Sequence, residues 1–415
     1  MWNPNLSLIL NKSLRTLVVF RRVCLSSLPD VSEMKSYDYI FTGGGCAALS
    51  LAWHMLHRPE FREKRILILD KESKSRNDRT WCFWETGEGP FESILEKKWE
   101  RAWFHGQGLS KLLDLKPYAY KMIRADRFYA HTLDFLATFP GVEIVHAEVG
   151  ESREVHDKVQ VTAGDQQYEA DYVFNSILPI KPKQPGHFYL LQHFKGWVIQ
   201  TPRPAFSETE ATLMDFRIEQ NGECRFMYIL PTSATTALVE FTVFSENLLD
   251  SEAYDSVLKE YLEEKAGISA YQILHTETGA IPMFSEPFDK AKSKRIINIG
   301  TAGGQTKAST GYTFTRIQRH SARLVEGMLK TGHPVLPTVR SEKRFAYYDK
   351  VLLHVLANKN VPAAKIFQNL FRHNKAAAVF RFLDEDTDFF QEYKIMNSVP
   401  VLKFIGPGWK ELVGW

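Results

Sequence analysis

Apolar positions 39–41 form a short strand that runs into Gly43-Gly44-Gly45 and leaves through Cys46-Ala47-Ala48-Leu49-Ser50-Leu51-Ala52, the pattern of strand, tight turn and buried helix. A second apolar strand, 65–69, ends at Asp70. The spacing then predicts a strand over 120–123, a helix capped by Asp126 and running to about Leu136, and short strands over 142–147, 159–162 and 168–177. Pro179, Pro182 and Pro185 punctuate the chain and mark a domain boundary. Beyond them the pattern is β-rich, with strands at 189–193, 197–201, 211–217, 224–230 and 236–244, a helix over 251–267, and strands at 273–280 and 295–299. Phe314, Ile317, Ser321, Leu324, Val325, Met328 and Leu329 follow at helical spacing, stopped by Gly332 and Pro334. From Ser341 the chain is helical and aromatic, with candidates at 341–357, 362–373, 376–383 and 386–396.

Alternation sorts the faces of strand 236–244. Ala237, Val239, Phe241 and Val243 share a uniformly apolar face, whereas Glu240 lies among Leu238, Thr242 and Phe244 on the other. If that mixed face meets solvent, Glu240 is an ordinary surface carboxylate. If it is covered, burial raises the carboxyl pKa and Glu240 is a neutral acid at pH 7. In Met214-Asp215-Phe216-Arg217 the two charges share one face, as a structural ion pair would require.

Chemistry enters at the glycine turns. Gly43, Gly45 and Ala48 hold the G-x-G-x-x-G/A positions of a dinucleotide fingerprint: a tight turn, close backbone approach to a pyrophosphate, and close helix-sheet packing. Asp70 is placed to accept from a ribose hydroxyl. Asp78-Arg79-Thr80-Trp81-Cys82-Phe83-Trp84-Glu85 follows in the first connection after the second strand, where its aromatics either pad a core or flank the ligand crevice. Arg127 joins the cofactor-binding candidates. A second glycine-rich junction, with Gly300, Gly303, Gly304, Thr310, Gly311 and Tyr312, does not suit a simple nicotinamide domain. It suits a flavoprotein, in which a late helix N-terminus favours negative charge at the edge of a reduced flavin. The expected fold is therefore α/β: a Rossmann-type FAD-binding domain from 36–180 and 275–335, an inserted mixed β-sheet substrate domain over 181–274, and a helical C-terminal region over 336–415.

Composition narrows this picture. A chain of 415 residues suggests two to three domains, and a net charge of +3 is too small to imply nucleic acid. The 28 Phe, 16 Tyr and 9 Trp require a large core, an apolar ligand or a membrane face. Cys24, Cys46, Cys82 and Cys224 include no C-x-x-C spacing, which fits a reducing cytoplasm and no metal site. Basic residues alternating with Phe, Leu and Tyr after Ser341 suit either a membrane interface or a packed helical cap. Residues 1–33 read as an extended or misassigned start before Met34, or as a basic membrane-touching arm or presequence.

In order along the chain, the fingerprint, Asp78-Arg79-Thr80-Trp81, Gln192-x-Phe194-x-Gly196-Trp197, Met214-Asp215-Phe216-Arg217, Leu238-Val239-Glu240-x-Thr242, Thr310-Gly311-Tyr312 and Arg381-Phe382-Leu383-Asp384-Glu385 resemble the lycopene cyclases of the bacterial carotenoid pathway. The resemblance implies a redox-neutral lycopene β-cyclase that requires reduced FAD, with NADPH as the expected reductant and Glu240 as acid or base. Trp81, Phe83, Trp84 and Thr242 are substrate-pocket candidates. Protonation of lycopene C2 gives a tertiary cation at C1, the C5=C6 bond attacks it, and loss of the C6 proton completes a β-ionone ring. Phe241 stands where many relatives carry a second acid, which leaves one carboxylate in the strand. Thr301 stands where related monooxygenases place an Asp, and the loop before Thr310 lacks the proline frequent in cyclases. Expected partners are lycopene, a membrane surface and other carotenoid-pathway enzymes, with a cytoplasmic, peripheral-membrane location. The rival readings are a flavin monooxygenase acting on an apolar substrate and a non-catalytic carotenoid-binding flavoprotein.

Overall fold

The computed structural model describes residues 34–179, 182–335 and 340–413. The N-terminal arm expected over 1–33, with Cys24, lies outside them.

The first layer grows from the opening glycine turn. Strand Lys35–Thr42 pairs in parallel with Ile66–Asp70 on one side and Gln166–Asn175 on the other, and Val142–His146 extends the sheet beyond Ile66–Asp70. Ile296–Asn298 returns more than a hundred residues later to pair in parallel with Gln166–Asn175, while Lys158–Ala163 and Val149–Val155 add an antiparallel flank. At the carboxyl ends, Thr42 Oγ1 donates to Asn175 Oδ1 at 2.9 Å, and Asn175 Nδ2 donates to Asn298 Oδ1 at 2.9 Å. This buried ladder satisfies polar groups that would otherwise be costly to bury, and it fixes the register of three strands where ligands bind in such sheets. Helix Cys46–Leu56 is packed between the sheet and helix Phe314–Thr331, which explains its run of Ala47, Ala48 and Ala52 in place of a polar face.

The second layer is a mixed seven-stranded sheet in the order Gln272–Phe284, Tyr189–Gln200, Thr236–Ser245, Cys224–Pro231, Glu210–Asp215, Arg101–Gly106 and Leu109–Asp114. It therefore recruits strands from both sides of the expected 181–274 segment. One face, with Trp197, Val239, Phe241 and Val243, packs under helix Ser251–Glu260. The other face turns inward, toward the first layer and the C-terminal helices. A small antiparallel sheet of Thr80–Thr86, Tyr118–Arg124 and Lys97–Trp99 lies between: Phe83 and Ile123 join the core of the first layer, whereas Trp84, Tyr120 and Met122 join that of the second.

Three expectations are corrected, and one element is added. The strands expected at 189–193 and 197–201 are one, because Gly196 does not break the ladder but sits paired at its centre. Arg124, not Asp126, occupies the N-cap of helix Ala125–Leu136, and Asp126 instead pairs with Arg124 at 2.7 Å within the first turn. The helix expected to Gly267 ends at Glu260 and widens into a π turn over Tyr261–Lys265. A further helix, Leu402–Val413, forms despite Pro407 within it. The Asp215–Arg217 pair closes at 2.6 Å with Asp215 wholly buried, and Tyr261 also donates to the carboxylate at 2.7 Å.

Candidate active site

The inner face of the second sheet carries one row of residues in register. Tyr228 lies opposite Glu240, Glu240 opposite Gly196, and Gly196 opposite Glu277, across four adjacent strands. The face that the sequence left open between solvent and burial is covered: Leu238, Glu240, Thr242 and Phe244 are all buried. Gly196 is the reason two carboxylates fit in one row. A Cβ there would come within 3.4 Å of Glu240 Cβ, 3.3 Å of Glu277 Cγ and 2.9 Å of Leu238 Cδ1. With no side chain there, both glutamates lean over the intervening strand toward each other.

Each carboxyl has one further donor. Thr242 Oγ1 donates to Glu240 Oε1 at 2.8 Å, and Thr80 Oγ1 donates to Glu277 Oε2 at 2.6 Å. Burial pushes Glu240 well above the usual carboxylate range, and the neighbouring Glu277 charge pushes it further. Burial raises Glu277 as well, opposed by the Thr80 hydrogen bond and by His275. The surrounding Cys82, Tyr120, Tyr228 and Tyr312 are all shifted upward by burial, Tyr312 to about 12, so these groups are neutral at physiological pH. Tyr312 Oη sits 3.2 Å from Tyr120 Oη and 3.4 Å from Tyr228 Oη.

The glutamates stand in a cavity of about 390 Å³ whose other walls come from Gly45, Cys46 and Ala47 at the fingerprint and from Gly300, Thr301 and Gly311 of the late loop. Gly43 makes the turn with φ +93°, a conformation that favours glycine, and a Cβ there would strike Ser176 Oγ. Ala48 is fully buried against the sheet. Asp70 ends its strand and accepts from Gly44 N–H at 2.6 Å. Within the cavity wall, Gln192 Oε1 and Thr310 Oγ1 are buried without a hydrogen-bond partner among the described residues. Glycine-lined backbone at one end and unpaired polar atoms along the side fit a ligand with a phosphate-bearing tail and a polar ring edge.

The structure brings Gly45, Trp81, Glu240, Gly300, Thr310, Gly311 and Tyr312 to this cavity. Gly303 and Gly304 shape the turn behind it, and Thr242 acts behind Glu240 rather than at the wall. Asp70 does not line this cavity, Trp84 lines an adjoining one, and Phe83 and Arg127 point away from both. Phe83 points to the opposite face of its strand and stacks on Phe314 with centroids 4.6 Å apart. Arg127 is half-exposed, pairing with Glu96 at 3.0 Å and Leu95 O at 3.3 Å, because its helix turns that side away from the cavity. Sequence reasoning missed Glu277, Tyr120 and Tyr228. The strand containing Glu277 was legible, but only its pairing partner reveals what the side chain faces.

A second cavity of about 430 Å³ adjoins the first. Leu213, Met214, Phe226 and Phe244 of the sheet form one wall, and Phe367, Leu370, Phe380, Ile395, Phe404 and Trp409 of the C-terminal helices form the other. Tyr228, Thr310 and Tyr312 line both cavities and partition them. Trp84 belongs to this apolar side, stacked on Phe380 at 4.6 Å with its indole N–H donated to Asp384 at 2.8 Å. The helices are clamped to the late loop by charge: Lys307 meets Asp349 at 3.0 Å and Glu385 at 3.1 Å, Arg316 meets Glu385 at 2.6 Å, and Ser309 donates to Asp349 at 2.7 Å. That clamp accounts for Glu385 of the Arg381–Glu385 motif, and Asp384 pairs separately with Arg319 at 2.9 Å.

Solved structures share this architecture. A geranylgeranyl bacteriochlorophyll reductase-like protein from Thermoplasma acidophilum superposes with a TM-score of 0.58 at 13% identity, covering 92% of this chain and 99% of its own. A flavoprotein/dehydrogenase from Cytophaga hutchinsonii gives 0.57 at 12%, covering 92% and 100%. A single-substitution variant of HpxO from Klebsiella pneumoniae, solved in complex with FAD, gives 0.54 at 14%, covering 88% and 100%. At those identities the likeness is one of fold. In sequence, a curated lycopene beta-cyclase from Pseudescherichia vulneris is 24% identical over 263 residues, 59% of this chain and 61% of that protein, so the match spans about three fifths of the relative's length. The family model described as "Lycopene cyclase protein" matches residues 38–405, nearly the whole described chain, and the chain therefore belongs to the lycopene cyclase family.

Proposed function

We propose that this protein is a lycopene β-cyclase that binds FAD in its reduced form, with NADPH as reductant, and closes the linear ends of lycopene into β-ionone rings without net redox change. The observation that carries this reading is the junction of the two cavities: a protonatable carboxyl pair on one side of the Tyr228 and Tyr312 partition, and an apolar channel on the other. Protonating an alkene in water is slow because both acid and cation are solvated. A desolvated Glu240 is a carboxylic acid at neutral pH, and exclusion of water keeps the resulting cation for the internal C5=C6 bond. Reduced FAD, when bound, supplies negative charge beside the developing cation. Gly45, the Gly300 turn and Gly311 would hold it, with Gln192 and Thr310 offering their unpaired oxygens to its polar edge. The walls of the apolar cavity would keep the rest of the polyene out of water, at about 25 cal/mol per Å² of apolar surface covered. The purified flavoprotein, reduced and supplied with lycopene without oxygen, is expected to yield γ- and β-carotene by chromatography. Oxygen-dependent NADPH consumption with unaltered ring content would instead identify a monooxygenase, and unaltered lycopene under both conditions a carrier.

The same reading places the substrate entrance at a membrane surface. Phe389, Phe390, Leu402 and Trp409 are 69%, 82%, 85% and 68% exposed on the last two helices, with exposed Lys394, Lys403 and Lys410 among them. Phe404, Ile405, Trp409 and Leu412 of the last helix also line the apolar cavity. No described helix is long and apolar enough to cross a membrane. Apolar side chains dipping into the acyl boundary, with lysines at headgroup level, suit an interfacial helix pair. Phe390→Glu combined with Leu402→Glu is expected to abolish co-sedimentation with vesicles containing anionic phospholipid while preserving bound flavin; unchanged co-sedimentation would remove these helices from the docking surface.

A further inference from the structure

Glu240 and Glu277 come from strands that do not touch, separated by the one residue in the row that has no side chain. Each carboxyl spends one oxygen on a threonine hydroxyl, Thr242 for Glu240 and Thr80 for Glu277, and the two side chains converge over Gly196, with Glu240 Cβ and Glu277 Cγ 3.4 Å and 3.3 Å from the place a Cβ would take there. Ionised carboxylates only accept hydrogen bonds, so two of them cannot bond each other without a proton between them. We infer that Glu240 and Glu277 act as one unit holding a single proton, with Glu240 as the acid presented to the substrate and Glu277 as the positioning carboxylate that keeps the proton on its neighbour. The inference rests on the cyclase reading for the identity of the substrate, though not for the existence of the pair.

Apart from His275, the groups facing the pair among the described residues carry no positive charge that would relieve two buried negative charges. Strand Thr80–Thr86 presents Thr80 and Cys82, strand Tyr118–Arg124 presents Tyr120, strand Cys224–Pro231 presents Tyr228, and the late loop presents Tyr312. His275 lies two residues before Glu277 on the same face. Arg79, farther along the cavity, is already paired with Asp78 at 3.2 Å. Each carboxyl has one threonine donor, so those contributions offset, and the asymmetry comes from His275, which favours charge on Glu277. The proton therefore resides on Glu240.

The step balances within the unit. The Glu240 proton bonds to C2 using the C1=C2 electron pair, leaving the cation at C1. The C5=C6 pair then forms the C1–C6 bond and moves the cation to C5. The C6–H pair becomes the new C5=C6 bond, and the released proton returns to the carboxyl pair. One proton leaves and one arrives, with nothing oxidised or reduced.

The test uses the full-length flavoprotein and two readouts. In anaerobic turnover of lycopene in phospholipid vesicles, activity requires protonated Glu240 and is lost as pH rises through its pKa. Glu277→Gln removes the charge that holds that pKa up and offers an amide N–H to the carboxylate. The alkaline limb of kcat is expected to move toward acid by about one pH unit or more, with KM unchanged, and Glu277→Asp is expected to restore the limb. An unmoved limb in Glu277→Gln overturns the inference. The second readout needs no substrate: a deuterium-sensitive infrared band of a protonated carboxylic acid is expected in the wild type at mildly alkaline pH, absent from Glu240→Gln and lost at that pH in Glu277→Gln. If the wild type shows no band that Glu240→Gln removes, the shared proton is refuted even where Glu277→Gln does not fold. If the bands behave as expected but no ring forms, the cyclase reading fails and the pair stands.

Discussion

Glu240→Gln is expected to stop ring formation while the protein keeps its fold and its flavin. Glutamine has the shape of the protonated glutamate, and Thr242 Oγ1, 2.8 Å from Glu240 Oε1, can donate to the amide oxygen in the same way. What disappears is an acidic proton: a carboxylic acid can transfer one to an alkene, and an amide N–H cannot. General acid catalysis contributes typically about 10²–10⁴-fold, and here no solvent proton replaces it, because Glu240 is 9% exposed and the Cys82 thiol and Tyr228 phenol beside it hold their own protons. The measurement is pigment chromatography against the flavin absorbance of the same preparation. Conversion of lycopene at the wild-type rate would remove Glu240 from the chemistry.

The second large effect is one of stability. Lys307→Met is expected to destabilise the union of the C-terminal helices with the rest of the molecule by about 3 kcal/mol, the lower end of the range for breaking a buried charge pair. Lys307 is 3% exposed and bridges Asp349 and Glu385. Its removal leaves Asp349 with only the Ser309 hydroxyl, whereas Glu385 retains Arg316, which limits the loss. A chain with several packed layers need not unfold in one step. Thermal melting of the variant should therefore show an early transition, accompanied by weaker flavin retention because Lys307 lies in the loop that lines the proposed cofactor cavity. A melting profile identical to wild type would mean that the clamp contributes nothing net.

What was legible in the sequence was what is local. Gly43 to Ala48 carry their own structural instruction, since a left-handed turn and a small-residue helix are decided within a few residues, and the parallel sheet follows from the strands around them. Glu240 was legible only as a choice between solvent and burial. Alternation shows that two faces differ, but only tertiary packing decides what covers each. Positions 189–193 and 197–201 read as two strands although they are one, and Gly196 between them, a residue type that normally weakens a strand, here leaves room for two carboxylates. Glu277 was invisible because strand order is not written locally, and the absence of a second acid beside Glu240, at Phe241, pointed toward a single carboxylate. Phe83 and Arg127 were assigned by neighbourhood in the chain, whereas strand alternation and helix rotation turned them away. The aromatic C-terminal helices were visible as helices, yet nothing in their periodicity disclosed that they enclose a cavity with the second sheet.

The tyrosine partition carries a kinetic consequence. On the cyclase reading, a symmetric polyene threads one terminus past Tyr228 and Tyr312 to a single acid pair, while its far terminus trails outward through the apolar channel. Two rings then require two separate visits, with a reversal between them. The ratio of monocyclic to bicyclic carotenoid would thus be a race between rebinding and escape, set by how long the half-finished molecule lingers at the mouth, and the same enzyme would give different product mixtures as the surrounding lipid slows or speeds that departure.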